Sequence, residues 1–240
     1  DFSNAGTYPD ANPFAITADH TDASGNVATQ ANRNFIKDVV ASNPPSGLAL
    51  NTPTSSPGNI STPTITLSGV TSGDTIKLYS DACTTEVASG TASGVTVNLT
   101  SSAISEGTYT YYAKAIDPAG NISSCSTATV AYEYDNTPPT VAITSPAVNS
   151  YIYSGNKAAF TVSGTCSEEN RNVTITASGQ TFTATCTTGA WTKTLDLSSA
   201  ATYPDSTTYT IYADHTDVSG NNAIQASRVF YKDTVAPTTP

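Results

Sequence analysis

The stretch Gly107-Thr108-Tyr109-Thr110-Tyr111-Tyr112-Ala113-Lys114-Ala115-Ile116-Asp117-Pro118-Ala119-Gly120-Asn121 decides how this chain is read. Tyr109, Tyr111, Ala113 and Ala115 alternate with Thr110, Tyr112 and Lys114, the period of a strand with one buried and one solvated face. The strand runs directly into Asp117-Pro118-Ala119-Gly120-Asn121, a segment dominated by turn formers. Working outward, Ile76 and Leu78 alternate with Lys77 and Tyr79. Ile65, Leu67 and Gly69 alternate with Thr64, Thr66 and Ser68, and Val95, Val97 and Leu99 with Thr96 and Asn98. An opening strand is expected near Leu48 and Leu50, and a closing one from Val130 to Tyr134.

About seven short strands in roughly 90 residues, each bounded by turn signals, predict an immunoglobulin-like sandwich. The last third repeats the plan through Val141 and Ile143, Phe160 and Val162, Val173 and Ile175, Phe182 and Ala184, Trp191 to Leu197, Tyr209 and Ile211, and Ala226 to Tyr231. The first 45 residues return, ungapped, as the last 45. Thr7-Tyr8-Pro9-Asp10 recurs as Thr202-Tyr203-Pro204-Asp205, and Ala18-Asp19-His20-Thr21-Asp22 as Ala213-Asp214-His215-Thr216-Asp217. Boundaries are expected at Asp38 to Pro45, Asp135 to Pro139 and Asp233 to Pro237, where an Asp ends a strand and prolines prevent it from running on. The division is 1–43, the C-terminal half of a domain; 44–137, one domain; and 138–240, a second domain with the start of the next linker. The fold class is therefore all-β, tandem immunoglobulin-like sandwiches arranged end to end on short, stiff linkers.

Composition narrows the function. Charged residues are only 12% and Met is absent, while Thr, Ser, Val, Ala and Tyr abound, a mixture suited to pleated surfaces. A formal charge of −10 argues against nucleic acid or an anionic bilayer as partner and suits cations. No run of about 18 apolar residues offers a membrane span.

Gly107-Thr108-Tyr109 through Asp117-Pro118-Ala119-Gly120-Asn121, its counterparts Asp22-Ala23-Ser24-Gly25-Asn26 and Asp217-Val218-Ser219-Gly220-Asn221, and the Asp-Thr-x-x-Pro linker at Asp233 to Pro237 resemble tandem bacterial Ig-like domains of large repetitive surface proteins. The resemblance implies a stalk or fibre repeat of a secreted, extracellular or cell-surface adhesin. Its partners would be neighbouring copies or adjacent Ig-like domains, with any host or matrix glycan or protein bound at a tip outside this segment. It also carries a tyrosine corner to Tyr109 and Tyr209, where the first copy has Phe14. Residues 1–38 supply only two strands, so either they are a window on a longer array or a neighbouring chain completes them, as in a self-assembling fibre subunit.

Four cysteines divide two and two. Cys166 and Cys186 follow strands that end at one pole of a sandwich and can bond. Cys83 and Cys125 start near opposite poles, and their pairing rests on parity alone. Both bonds imply an oxidising compartment.

Acidic turns next to incoming linkers suggest calcium, which takes six to eight oxygen ligands. The candidates are Asp38 with Asp117 and Asn121, and Asp135 with Asp214, Asp217 and Asn221, with Glu168 in reach. Ordinary solvated turn residues explain the same pattern. His20 and His215 stand at equivalent positions and read as repeated surface residues. With no nucleophile elbow either, the chain is expected to be no enzyme. Tyr79, Tyr111, Tyr112, Tyr132 and Tyr134 raise a carbohydrate-binding module as an alternative, through an aromatic platform.

Overall fold

A computed structural model describes residue 3, residues 5–10 and residues 13–239. Every described element is a strand. The first two, β1 (Pro13–Ala18) and β2 (Ala31–Ile36), form an antiparallel hairpin with Phe14 opposite Phe35 and Ile16 opposite Arg33.

The middle sandwich contains β3 (Gly47–Thr52), β4 (Thr64–Ser68), β5 (Thr75–Tyr79), β6 (Glu86–Thr91), β7 (Thr96–Thr100), β8 (Gly107–Ile116) and β9 (Val130–Tyr134). One sheet has the order β3-β4-β7 and the other β6-β5-β8-β9. The alternation read from the sequence sets the burial. Ile65, Leu67, Ile76, Leu78, Tyr111, Ala113 and Ala115 are fully enclosed, and the Thr and Lys residues between them face outward. β6 was not foreseen. It is an edge strand whose register against β5 shifts between Leu78 and Tyr79, so no clean alternation marks it.

The last sandwich is built from β10 (Val141–Ser145), β11 (Tyr151–Ile152), β12 (Phe160–Cys166), β13 (Asn172–Ala177), β14 (Gln180–Thr185), β15 (Ala190–Leu195), β16 (Thr207–His215) and β17 (Ala226–Lys232). Its sheets run β10-β12-β15 and β11-β17-β16-β13-β14, with β11 parallel to β17. Phe160, Val162, Ile175, Trp191, Leu195, Ile211 and Phe230 make its core, and Phe160 meets Phe230 edge-on at 5.0 Å.

By its contacts the chain divides into two compact units, one of Asp1–Ser56 with Ser61–Glu133 and one of Pro57–Ile60 with Tyr134–Pro240. Pro57–Ile60 falls in the second because Gly58 pairs in parallel with Tyr134 and accepts the Asp135 N–H at 3.1 Å.

Both expected disulfides form. Cys166–Cys186 joins the end of β12 to the residue after β14 and so ties one sheet of the last sandwich to the other. Cys83–Cys125 forms despite the polar mismatch expected for it. After Asn121 the chain turns back along β8, with Ser123 N–H and Ser126 N–H donating to Ala115 and Ala113, so Cys125 has already left the pole. Cys83 comes to meet it from the turn after Tyr79, itself opposite Tyr112. Asp81 fixes that turn by accepting the N–H groups of Thr84 and Thr85 at 2.8 and 2.9 Å.

The tyrosine corner is present in both sandwiches. Tyr109 Oη donates to Ser105 O at 3.0 Å and Tyr209 Oη to Pro204 O at 2.6 Å.

Replacing Cys166 and Cys186 with Ala should cost about 3 kcal/mol by loop-closure entropy. The loss reads out in urea unfolding followed by fluorescence of Trp191, the chain's single tryptophan, buried in that sandwich.

Candidate functional site

The strand β16 buries Tyr209, Ile211, Ala213, His215 and, beyond its end, Asp217 on one face at every second residue. Asp217 thereby becomes a carboxylate that is 3% exposed, and it needs donors. Asn221 supplies them. Its backbone N–H donates to Asp217 Oδ1 at 2.8 Å and its Nδ2 to Oδ2 at 2.9 Å. Gly220, at φ 92°, makes the reversal that lets residue 221 face back.

Asn221 Nδ2 has a second hydrogen, and it donates to the carbonyl of Asp135 at 2.9 Å. Ser219 Oγ donates to Asp135 Oδ2 at 2.9 Å. The acidic turn thus holds the residue through which the chain enters the sandwich. The middle sandwich repeats the arrangement: Asn121 donates to both Asp117 oxygens at 2.9 and 2.8 Å, and its Nδ2 reaches Asp38 O at 3.2 Å and Oδ1 at 3.4 Å. The hairpin has the same inner bonds between Asn26 and Asp22.

Of the candidate cation ligands, Asp38, Asp117 and Asn121 come together, as do Asp135, Asp217 and Asn221. Asp214 does not join them. It lies on the outer face of β16, where Gln225 Nε2 donates to its carboxylate at 2.8 Å. Glu168 accepts from Ser167 Oγ at 3.2 Å. Among the described residues no group of three or more His, Cys, Asp or Glu side chains gathers as a metal cluster.

His215 is not a surface residue. It is 2% exposed, and its Nε2 accepts the Glu168 N–H at 3.2 Å, which puts the ring proton on Nδ1, facing Asn172 O at 3.0 Å. The phase of the alternation carries this signal, since His215 follows Ile211 and Ala213 at intervals of two. His20 stays exposed in the hairpin. Of the five tyrosines that raised an aromatic platform as an alternative, Tyr79, Tyr111 and Tyr132 are core residues, and Tyr112 and Tyr134 are half-buried. Two participants escaped the sequence reading: Ser219 and Arg171. Arg171 donates from Nε to Thr216 O at 3.2 Å and from Nη2 to Asp217 O at 2.7 Å.

Residues 51–132 match the family model of the bacterial Ig-like domain, so the resemblance read from the acidic turns and linkers holds for the middle sandwich. No curated protein matches the chain. Among solved structures, the fibronectin(III)-like modules of Clostridium thermocellum CbhA are similar at 16% identity and a TM-score of 0.47, over 78% of this chain and 94% of that one. A 1.5-MDa bacterial ice-binding adhesin is similar at 18% identity and a TM-score of 0.39, over 94% of this chain and 76% of that one. Both likenesses concern the fold.

Asn221→Ala leaves a buried carboxylate oxygen and the Asp135 carbonyl without a donor, and should destabilise the last sandwich by about 1–3 kcal/mol in Trp191-detected unfolding. Acid acts on the middle turn. The Asn121 side-chain amide, ahead of its backbone N–H, holds the Asp117 carboxyl below its ordinary 3.8. A folded value below the unfolded one gives stability that is complete above about pH 4 and lost as pH falls through the lowered value. The melting temperature should therefore drop below pH 4, and Asn121→Ala should shrink that drop.

Proposed function

We propose that this chain is a non-enzymatic spacer, a stalk or fibre repeat of a bacterial extracellular or cell-surface protein. The observation that carries this reading is the fastening of each entering residue to the acidic turn of the sandwich that follows: Asp38 by Asn121, and Asp135 by Asn221 with Ser219. A linker tied at its end loses swivel freedom, which is what a spacer under load requires. Two disulfides support an oxidising, extracellular setting and shorten the chain that each sandwich can release. The partners are adjacent Ig-like domains of the same kind, and recognition of a host or matrix target belongs elsewhere in such a protein.

Single-molecule pulling tests the mechanical role. An extended residue spans about 3.5 Å, so reduction should lengthen two discrete unfolding events by about 150 Å and about 70 Å, the lengths sealed behind Cys83–Cys125 and Cys166–Cys186 with their separations of 42 and 20 residues. A smooth extension without discrete events would defeat the reading.

A second reading has its own observation. In the hairpin Ile16 is 53% exposed, whereas its counterpart Ile211 is fully buried, as is Phe230, the counterpart of Phe35. The inner face of β1 and β2 is built to be covered by strands like β10, β12 and β15 of the opposite sheet. In a self-assembling fibre a neighbouring chain covers it. Concentration-dependent light scattering that disappears on deleting residues 1–38 would favour this assembly, and a monomer at all concentrations would eliminate it.

A further inference from the structure

The outer face of the five-stranded sheet of the last sandwich carries tyrosines that the core does not use. β11 buries Ile152 completely, which turns Tyr151 outward, 62% exposed, and β17 buries Phe230, which turns Tyr231 outward, 38% exposed. The two tyrosines are cross-strand partners, and their rings stand 5.8 Å apart at 33°. The backbone beneath them is fixed. Tyr231 N–H donates to Ser150 O at 3.1 Å and Asp233 N–H to Ile152 O at 2.9 Å. Asn156 secures the other side of β11, donating from Nδ2 to Tyr151 O at 3.0 Å and accepting the Tyr153 N–H at 2.7 Å. A ligand meeting this pair has little ordering of the protein left to offset.

The rings border a cavity of about 490 Å³ that Ser206, Thr207, Thr208 and Asp233 also line. A second cavity, of about 500 Å³, shares Thr207 and Thr208 with it and continues to Tyr212, a third outward tyrosine. Thr208 stands opposite Tyr231, and Tyr212 lies four residues further along β16, about 13 Å away at the rise of a strand. The groove therefore has two aromatic stations with threonine hydroxyls between them. Lys232 lines the first cavity too, but it is buried and directs its Nζ to Tyr203 O, so its charge is not offered to a ligand.

The sandwich plan does not require these rings. In the middle sandwich Gly58 pairs in parallel with Tyr134 as Ile152 does with Lys232, so Pro57 and Glu133 take the places of Tyr151 and Tyr231. In the hairpin, 195 residues earlier, Thr17 and Ile36 stand where the last sandwich has Tyr212 and Tyr231. Outward rings set over a row of hydroxyls suit a ligand with apolar C–H faces and many hydroxyls of its own, which is a sugar chain. A formal charge of −10, with Lys232 withdrawn, argues against a polyanion. β16 and β17 lie inside their sheet, so this face presents no free strand edge to an added peptide.

We propose that this face binds a neutral glycan chain, stacked on the Tyr151–Tyr231 pair at one station and on Tyr212 at the other, with Thr208 and Asp233 hydrogen-bonding its hydroxyls. The distance between the stations selects a chain over a single sugar. The site adds a lateral hold to the spacer and leaves target recognition elsewhere in such a protein. It does not depend on the spacer reading, since a module of any function would bind the glycan through the same residues.

Calorimetric titration of the full chain with glucose, mannose, galactose and xylose, and with oligosaccharides of increasing length cut from their neutral polymers, tests it. The expected result is saturable binding of the oligosaccharides of at least one polymer, with its monosaccharide about tenfold weaker. Tyr151→Ala and Tyr231→Ala should each lose about tenfold in affinity while urea unfolding stays unchanged, and Tyr112→Ala in the middle sandwich should bind as the unaltered chain does. No binding of any of these sugars, a monosaccharide bound as tightly as its oligosaccharides, binding that both variants retain, or a preference for dextran sulfate would overturn the inference. Should the variants fold poorly, NMR titration of the unaltered chain decides. Shifts gathered at the rings of Tyr151, Tyr212 and Tyr231 support the site, and shifts elsewhere overturn it.

Discussion

The oxygens of a carboxyl group can be buried without a large penalty only where hydrogen-bond donors meet them. Asp217 meets that condition through one residue, since Asn221 gives it both a backbone N–H and an amide hydrogen. Satisfying the carboxylate fixes the turn, and fixing the turn aims the second amide hydrogen of Asn221 at the carbonyl of Asp135. The direction in which the chain enters the sandwich therefore follows from the hydrogen-bond requirement of a residue just beyond the end of β16. Asn121 and Asp117 impose the same order on Asp38.

The hairpin separates local causes from distant ones. Its bonds copy those of the last sandwich almost one for one. Gln30 holds Asp19 as Gln225 holds Asp214, Lys37 Nζ donates to Tyr8 O as Lys232 Nζ does to Tyr203 O, and Tyr8 meets Phe14 edge-on as Tyr203 meets Tyr209. Similar sequence gives similar local structure even where the inner face is exposed, as at Ile16. Burial is not copied, because it belongs to the strands on the opposite sheet.

The fold was legible wherever one face of a strand packs and the other meets water, since that condition writes a two-residue period into β4, β5, β8, β13 and β16. It was illegible in β6, whose pairing with β5 is offset by an irregularity, and in β11, two residues long and held by parallel pairing to a strand some eighty residues away. Cys83 and Cys125 could be paired by parity but not by geometry. The path that brings them together depends on the chain doubling back along β8, where the hydroxyls of Ser123 and Ser126 accept the N–H groups of Ala115 and Ala113.

The sequence by itself determined the sandwich plan, the 195-residue recurrence, the acidic turns and the cysteine pairing, because each is a pattern among neighbours along the chain or a matter of number. It also held the inward phase of His215, which a reading of the strand as surface overlooked. Only the tertiary structure decided that Asp214 turns away while Ser219 joins the linker, and that Asp74 and Arg171 are equivalent. The last case shows the physical reason. An acid and a base have nothing in common as letters, and they become equivalent only when folding gives each the same backbone bonds, its N–H to the residue three before it and its carbonyl to an N–H of Ala92 or Cys186 further along the chain.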